Sequence, residues 1–130
     1  MLIYRLGVVA VLIILCVGCG TGQRETDSAA VATDFLAAMG DGDTRVACAL
    51  LATDTRESLE YSGGGPCTSS LGSVDIAGGA VEGVEVWGDR AQARASTGTL
   101  FLVELNVGWR VAAAGCTRAT DGTYDCLLGA

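Results

Sequence analysis

The chain has 130 residues, with 15 acidic and 8 basic side chains and a formal net charge of −7. This length accommodates one domain, and the acidic balance disfavours binding to nucleic acid or adhesion to anionic lipid through charge alone. The sequence contains no His, which excludes Ser-His-Asp, Cys-His and His-metal chemistries. We therefore expect a protein that is not an enzyme and that holds no metal or cofactor.

An export signal is predicted at the N-terminus. Met1–Arg5 is a short positively charged start, and the run from Leu6 to Val17 is apolar and ends at Gly18. Charged start, apolar middle and small-residue end are the three parts of a secretory signal. The apolar run is too short for a membrane span, which needs about 20 residues. An uncleaved membrane anchor is the alternative.

The residues before Cys19 resemble the lipobox of bacterial lipoproteins, in which a small residue precedes the modified cysteine. Val17 and Gly18 match that pattern, whereas Cys16 stands where Leu is usual. The resemblance implies that Cys19 is diacylated and anchors the protein on the extracytoplasmic face of the cell membrane. Ordinary soluble secretion is the alternative. The expected boundaries are 1–18 for the signal peptide, 19–27 for the lipidated N-terminus and a short tether, and 28–130 for one folded domain.

Four cysteines remain after Cys16 and Cys19 have been assigned to the signal and to lipidation. An even number in an exported domain indicates disulfides, and four cysteines permit three pairings. Proximity in the sequence favours the pairs Cys48–Cys67 and Cys116–Cys126. A zinc site is the alternative, but the domain contains no C-x2-C spacing to support it.

The first predicted helix begins at the cap Asp27-Ser28 and runs to about Met39. Its apolar residues recur at helical spacing and would form one buried stripe. The members of this stripe are Val31, Phe35, Leu36 and Met39.

Two further helices are predicted before the Gly/Pro loop at 62–66. Asp43 or Thr44 caps the second helix. The third starts near Asp54, which together with Glu57 forms an imperfect capping box.

After Gly79 the apolar pattern changes to a period of two, which predicts antiparallel strands. Val84 and Val86 belong to the first strand, and Gly88-Asp89 forms a two-residue turn before a strand at 91–96. Further strands are predicted at 100–107, 109–113 and 124–128, with Asp121-Gly122 at the last hairpin tip. Helices followed by an antiparallel meander define an α+β fold.

Three segments together resemble small exported actinobacterial proteins similar to the NTF2-like (SnoaL-like, cystatin-like) superfamily. They are residues 47–59, the pair Pro66-Cys67, and Trp109–Cys116 leading into Asp121–Cys126. The resemblance implies three helices packed on the concave face of a curved antiparallel sheet, which would form a cone. It also implies the same two disulfides.

Four residues are candidates for lining an opening of this cone: Asp34, Tyr61, Trp87 and Glu104. None aligns with an enzyme motif, so no catalytic residue is assigned. The expected function is a membrane-anchored binding module for an apolar small ligand or an envelope partner protein. The alternatives are an accessory or regulatory subunit of a neighbouring membrane protein, and an enzyme that uses only carboxylates. The sequence does not indicate an oligomeric state.

Overall fold

The computed structural model describes residues 19–130, with side chains from Gly22 onward, so the predicted signal at 1–18 lies outside the described residues. Helices come first and are followed by an open, curved, antiparallel five-stranded sheet of order β1-β2-β3-β4-β5, which confirms the predicted α+β class. The helices are α1 (Cys19–Asp41), α2 (Thr44–Ala49), α3 (Thr53–Gly63) and α4 (Cys67–Gly72). The strands are β1 (Val81–Trp87), β2 (Arg90–Ala95), β3 (Gly98–Leu105), β4 (Gly108–Arg118) and β5 (Tyr124–Leu128).

Helix α1 is longer than predicted, because it already begins at Cys19. Residues 19–27, predicted to be a short tether, are therefore helical. Ser28 lies inside the helix rather than at its cap: it is fully buried, and its hydroxyl donates to the carbonyl of Glu25 at 3.1 Å. The predicted apolar stripe is correct at its centre, where Phe35 and Leu36 are buried in the core.

The short helices differ from the predictions at their starts. Asp43 caps α2 as expected, since its carboxylate accepts from the N–H of Val46 at 3.2 Å. The capping box predicted for α3 is wrong, because Ala52 occupies the cap position and Asp54 lies in the first turn. Helix α4 was not predicted, since it has only six residues and one strongly apolar side chain, Leu71.

The sheet presents one apolar face to the helices. Ala91 and Ala93 pair with Leu102 and Leu100, and all four side chains are buried. The predicted turn at Gly88-Asp89 is present, with Gly88 at a φ of 60° that favours glycine. Val107, predicted to lie in a strand, belongs instead to the tight turn between β3 and β4.

The free edge of β4 is covered by the segment between α2 and α3. The N–H of Ala52 donates to the carbonyl of Val111, and the N–H of Val111 donates to the carbonyl of Leu50, both at 2.8 Å. The buried hydroxyl of Thr55 donates to the carbonyl of Ala112 at 2.8 Å. These contacts fix the start of α3 against the sheet and leave fewer backbone groups exposed at that edge.

The last hairpin has the predicted tip. The carboxylate of Asp121 accepts from the hydroxyl of Thr123 at 2.6 Å and from its N–H at 3.0 Å. These two hydrogen bonds hold the pKa of Asp121 below its ordinary value, because they favour the charged form.

Both predicted disulfides are confirmed. Cys48–Cys67 connects α2 to α4, and Cys116–Cys126 connects β4 to β5. Cys48, Cys67 and Cys116 are buried, so these bonds belong to the packed interior and its margin. They close loops of 19 and 10 residues.

Removing either disulfide should lower the free energy of unfolding by about 3 kcal/mol, because each restricts the unfolded chain. The double variants Cys48→Ala/Cys67→Ala and Cys116→Ala/Cys126→Ala can be compared with the parent by chemical denaturation. An unchanged denaturation midpoint in both variants would contradict a stabilising role for these bonds.

Candidate functional site

Arg24 connects the first turns of α1 to one end of the sheet. Its guanidinium donates to the carbonyl of Gly88, in the β1–β2 turn, and its Nη2 lies 3.4 Å from the Oε2 of Glu104 near the end of β3. The same guanidinium stands over the ring of Trp109, 5.6 Å from its centroid. Among the residues whose side chains are described, none accepts a hydrogen bond from the buried Nε of Arg24. One side chain thus holds the helix against two adjacent hairpins.

The direction of α1 follows from its contacts at both ends. Arg24 meets Gly88, which directly follows β1, whereas Gly40 packs against Gly78, which precedes β1. The N-terminal end of α1 therefore lies at the end of the sheet that carries the β1–β2 and β3–β4 turns. Cys19 lies five residues before Arg24, about 7.5 Å along an α-helix.

A depression of about 360 Å³ lies beside this end of the sheet, between the start of α3 and the two hairpins. Glu104, Asp89 and Arg90 supply charged groups from the hairpins, and Asp54 supplies one from α3. Arg90 lies 3.7 Å from Asp89, and Glu104 is paired with Arg24. Two of the three side-chain carboxylates that line the depression, Glu104 and Asp89, are therefore paired with an arginine.

The four predicted pocket residues are not brought together. Glu104 lines the depression just described, whereas Asp34 is exposed on α1 and lines a separate depression of about 300 Å³. Tyr61 is 92% exposed on α3, and Trp87 is 50% exposed at the end of β1. Neither aromatic residue lines either of these depressions. Helical and strand periodicity could not show this, because it does not fix how α1 and α3 lie on the sheet.

The space between the helices and the sheet is filled by side chains. Phe35 and Leu36 of α1 and Leu100, Leu102 and Val111 of the sheet are each at most 2% exposed. Trp109, which could have lined an apolar opening, is 4% exposed and belongs to the same core. The depressions described above lie around the margins of this core and contain charged side chains.

Exposed apolar side chains occur at the end of the sheet that meets the start of α1. Trp87 precedes the β1–β2 turn, Leu105 ends β3, and Val107 lies in the β3–β4 turn with 70% of its surface exposed. We call these three residues the hairpin-tip surface. Neither Leu105 nor Val107 was predicted to be exposed, because the apolar pattern extends the predicted strand through residue 107. The available signal was the pair Asn106 and Gly108, because tight turns favour such residues. A β-branched residue between them would then be exposed at the turn.

Within residues 19–130, no helix is both long and apolar enough to span a membrane. The same described residues contain no group of three or more acidic or cysteine side chains placed to hold a metal ion. No protein-family model, curated protein or solved structure matches the chain.

Replacing Arg24 with Ala should lower the free energy of unfolding by about 2 kcal/mol. The substitution removes a charge-assisted hydrogen bond and a cation–π contact, each typically worth about 1 kcal/mol or more. The matched control is Arg56→Ala, which removes an exposed pair with Glu60 on α3 and should cost less than about 0.5 kcal/mol. Equal losses in the two variants, measured by urea denaturation, would contradict the role of Arg24 in docking α1.

Proposed function

We propose that the protein is a lipid-anchored, non-enzymatic interaction module of the bacterial cell envelope, bound to the membrane through Cys19. The observation that carries this proposal is the filled interior between α1 and the sheet, where the large apolar side chains pack against one another. The module would act through its surface rather than by enclosing a ligand.

Anchoring at Cys19 is supported by the charged start, apolar run and lipobox-like residues of the predicted signal. Helix α1 begins at Cys19 itself, and Arg24 holds its first turns on the sheet. A lipid on Cys19 would therefore keep the domain close to the bilayer, without a long linker. Two acyl chains are sufficient for stable attachment, whereas one is marginal.

A partner protein is favoured over a small apolar ligand. Ligand sites are usually concave and lined mainly by apolar side chains. Here the side chains that could line such a cavity, including Phe35 and Trp109, form the core instead. An enzyme built on paired carboxylates has less support, because Asp34 and Glu104 line different depressions and Glu104 is paired with Arg24.

We further propose a distant relationship to the NTF2-like superfamily. It is supported by helices that precede a curved antiparallel meander and by the two disulfides. The filled interior departs from the open cone of that superfamily's enzymes. Fold resemblance alone does not define an activity.

The experiment that tests anchoring is intact mass spectrometry of the protein purified from the membrane fraction of a bacterial host. We expect a chain that begins at Cys19, carries the mass of a diacylglyceryl group and contains both disulfides. Cys19→Ser should lose the acyl mass, whereas Cys16→Ser serves as the matched control and should keep it. An acylated Cys19→Ser protein, or an unmodified parent, would contradict lipidation at Cys19.

Native mass spectrometry of the same preparation tests the choice of binding partner. A filled interior should leave no small apolar molecule bound after detergent removal, so the native and denatured masses should agree. A stoichiometric mass difference would favour the small-ligand alternative instead.

A further inference from the structure

We infer that the hairpin-tip surface, Trp87, Leu105 and Val107, lies in the interface of the lipid bilayer to which the protein is anchored. This inference rests on the proposed anchoring at Cys19 and specifies how the domain is oriented on the membrane. Its occupant is the lipid surface itself, not a protein.

The proposed anchor lies at the same end of the domain as the hairpin-tip surface. Arg24 binds the carbonyl of Gly88 and pairs with Glu104, so the start of α1 lies beside both hairpin turns. Cys19 continues this helix by about 7.5 Å. Strand β3 runs toward the same end, and its turn carries Val107 beyond Glu104. A bilayer that receives a lipid on Cys19 would therefore meet the hairpin turns first.

The exposed side chains of the hairpin-tip surface have the chemistry of a membrane interface. Trp87 is half exposed and Val107 is 70% exposed, and the hairpin-tip surface holds three of the six large apolar side chains that are exposed in the described part of the chain. Tryptophan is enriched at membrane interfaces, where the indole ring contacts acyl chains and its N–H contacts headgroups. Small apolar side chains on turns can enter the same region with little change in the backbone of the sheet, because the turn already lies outside it.

The charge around the hairpin-tip surface differs from that of the chain as a whole. Although the chain as a whole is strongly acidic, three of its eight arginines surround the hairpin-tip surface. Arg90 of β2 lies opposite Trp87 of β1 and opposite Val103 of β3. Val103 in turn lies opposite Arg110 of β4. Arg24 is the third. Two carboxylates lie at the same end, and each is paired with one of these arginines: Glu104 with Arg24 and Asp89 with Arg90. This end of the domain therefore does not oppose anionic headgroups as the rest of the surface does.

The fluorescence of Trp87 tests the orientation, because the chain contains only two tryptophans and Trp109 is buried. The acylated protein is reconstituted into phosphatidylcholine–phosphatidylglycerol vesicles with brominated acyl chains. The signal of Trp87 is the difference between the parent and Trp87→Phe. We expect it to shift to shorter wavelength and to lose about half of its intensity, as an indole at the headgroup level should.

Two matched controls separate the tips from the rest of the surface. In Trp87→Phe/Tyr61→Trp the indole moves to the exposed position on α3, where bromine should not quench it. Val107→Asp in the β3–β4 turn should reduce the quenching of Trp87, whereas Val46→Asp on α2, also at an exposed valine, should not.

The outcomes distinguish this inference from the anchoring proposal. Protein that floats with the vesicles but shows unquenched Trp87 would overturn the orientation and leave anchoring intact. Protein that does not float would overturn anchoring, and the orientation with it. A photo-crosslinker at position 107 that attaches to a protein rather than to lipid in native membranes would show a protein occupant and overturn the inference.

Discussion

The burial of one face of α1 against the sheet is the packing interaction on which the rest of the structure depends. Phe35 and Leu36 pack with Leu100, Leu102 and Val111 in a core whose other members are alanines, leucine and isoleucine side chains, one disulfide and Trp109. A domain of about this size is only marginally stable. The two disulfides add to it by joining the short helices α2 and α4 and the strands of the last hairpin.

This packing also determines what the domain presents to its surroundings. Because α1 crosses the sheet with its first turns at the two hairpin tips, the proposed lipid attachment and the exposed apolar residues fall at one end. Because the side chains of α1 fill the space over the sheet, little volume remains there for a ligand. A structure of this kind is suited to presenting a surface at a fixed distance from the membrane. Helix α1 both fills the core with its side chains and determines where Cys19 lies.

The sequence was sufficient for the order of elements, the disulfide pairing and most turns, because these depend on local spacing. It was insufficient for the start of α1, since the first turns contain little apolar periodicity and are held by Arg24 through contacts with residues more than 60 positions away. The short helix α4 was overlooked because it has only six residues and one strongly apolar side chain, and Val107 was placed in a strand because the apolar pattern continues to it. The four pocket residues could not be placed, because their positions depend on how the helices pack on the sheet.

Amide hydrogen exchange over residues 23–28 of the anchored protein tests most directly whether α1 is a docked helix from its first turns. Amides from Gln23 onward have intrahelical acceptors if the helix begins at Cys19, whereas the first four amides of a helix do not. Strong protection of residues 23–28, reduced in Arg24→Ala, is the expected result. Exchange at the rate of an unstructured peptide would mean that these residues form a flexible tether, and that the hairpin tips are not held at the membrane by α1.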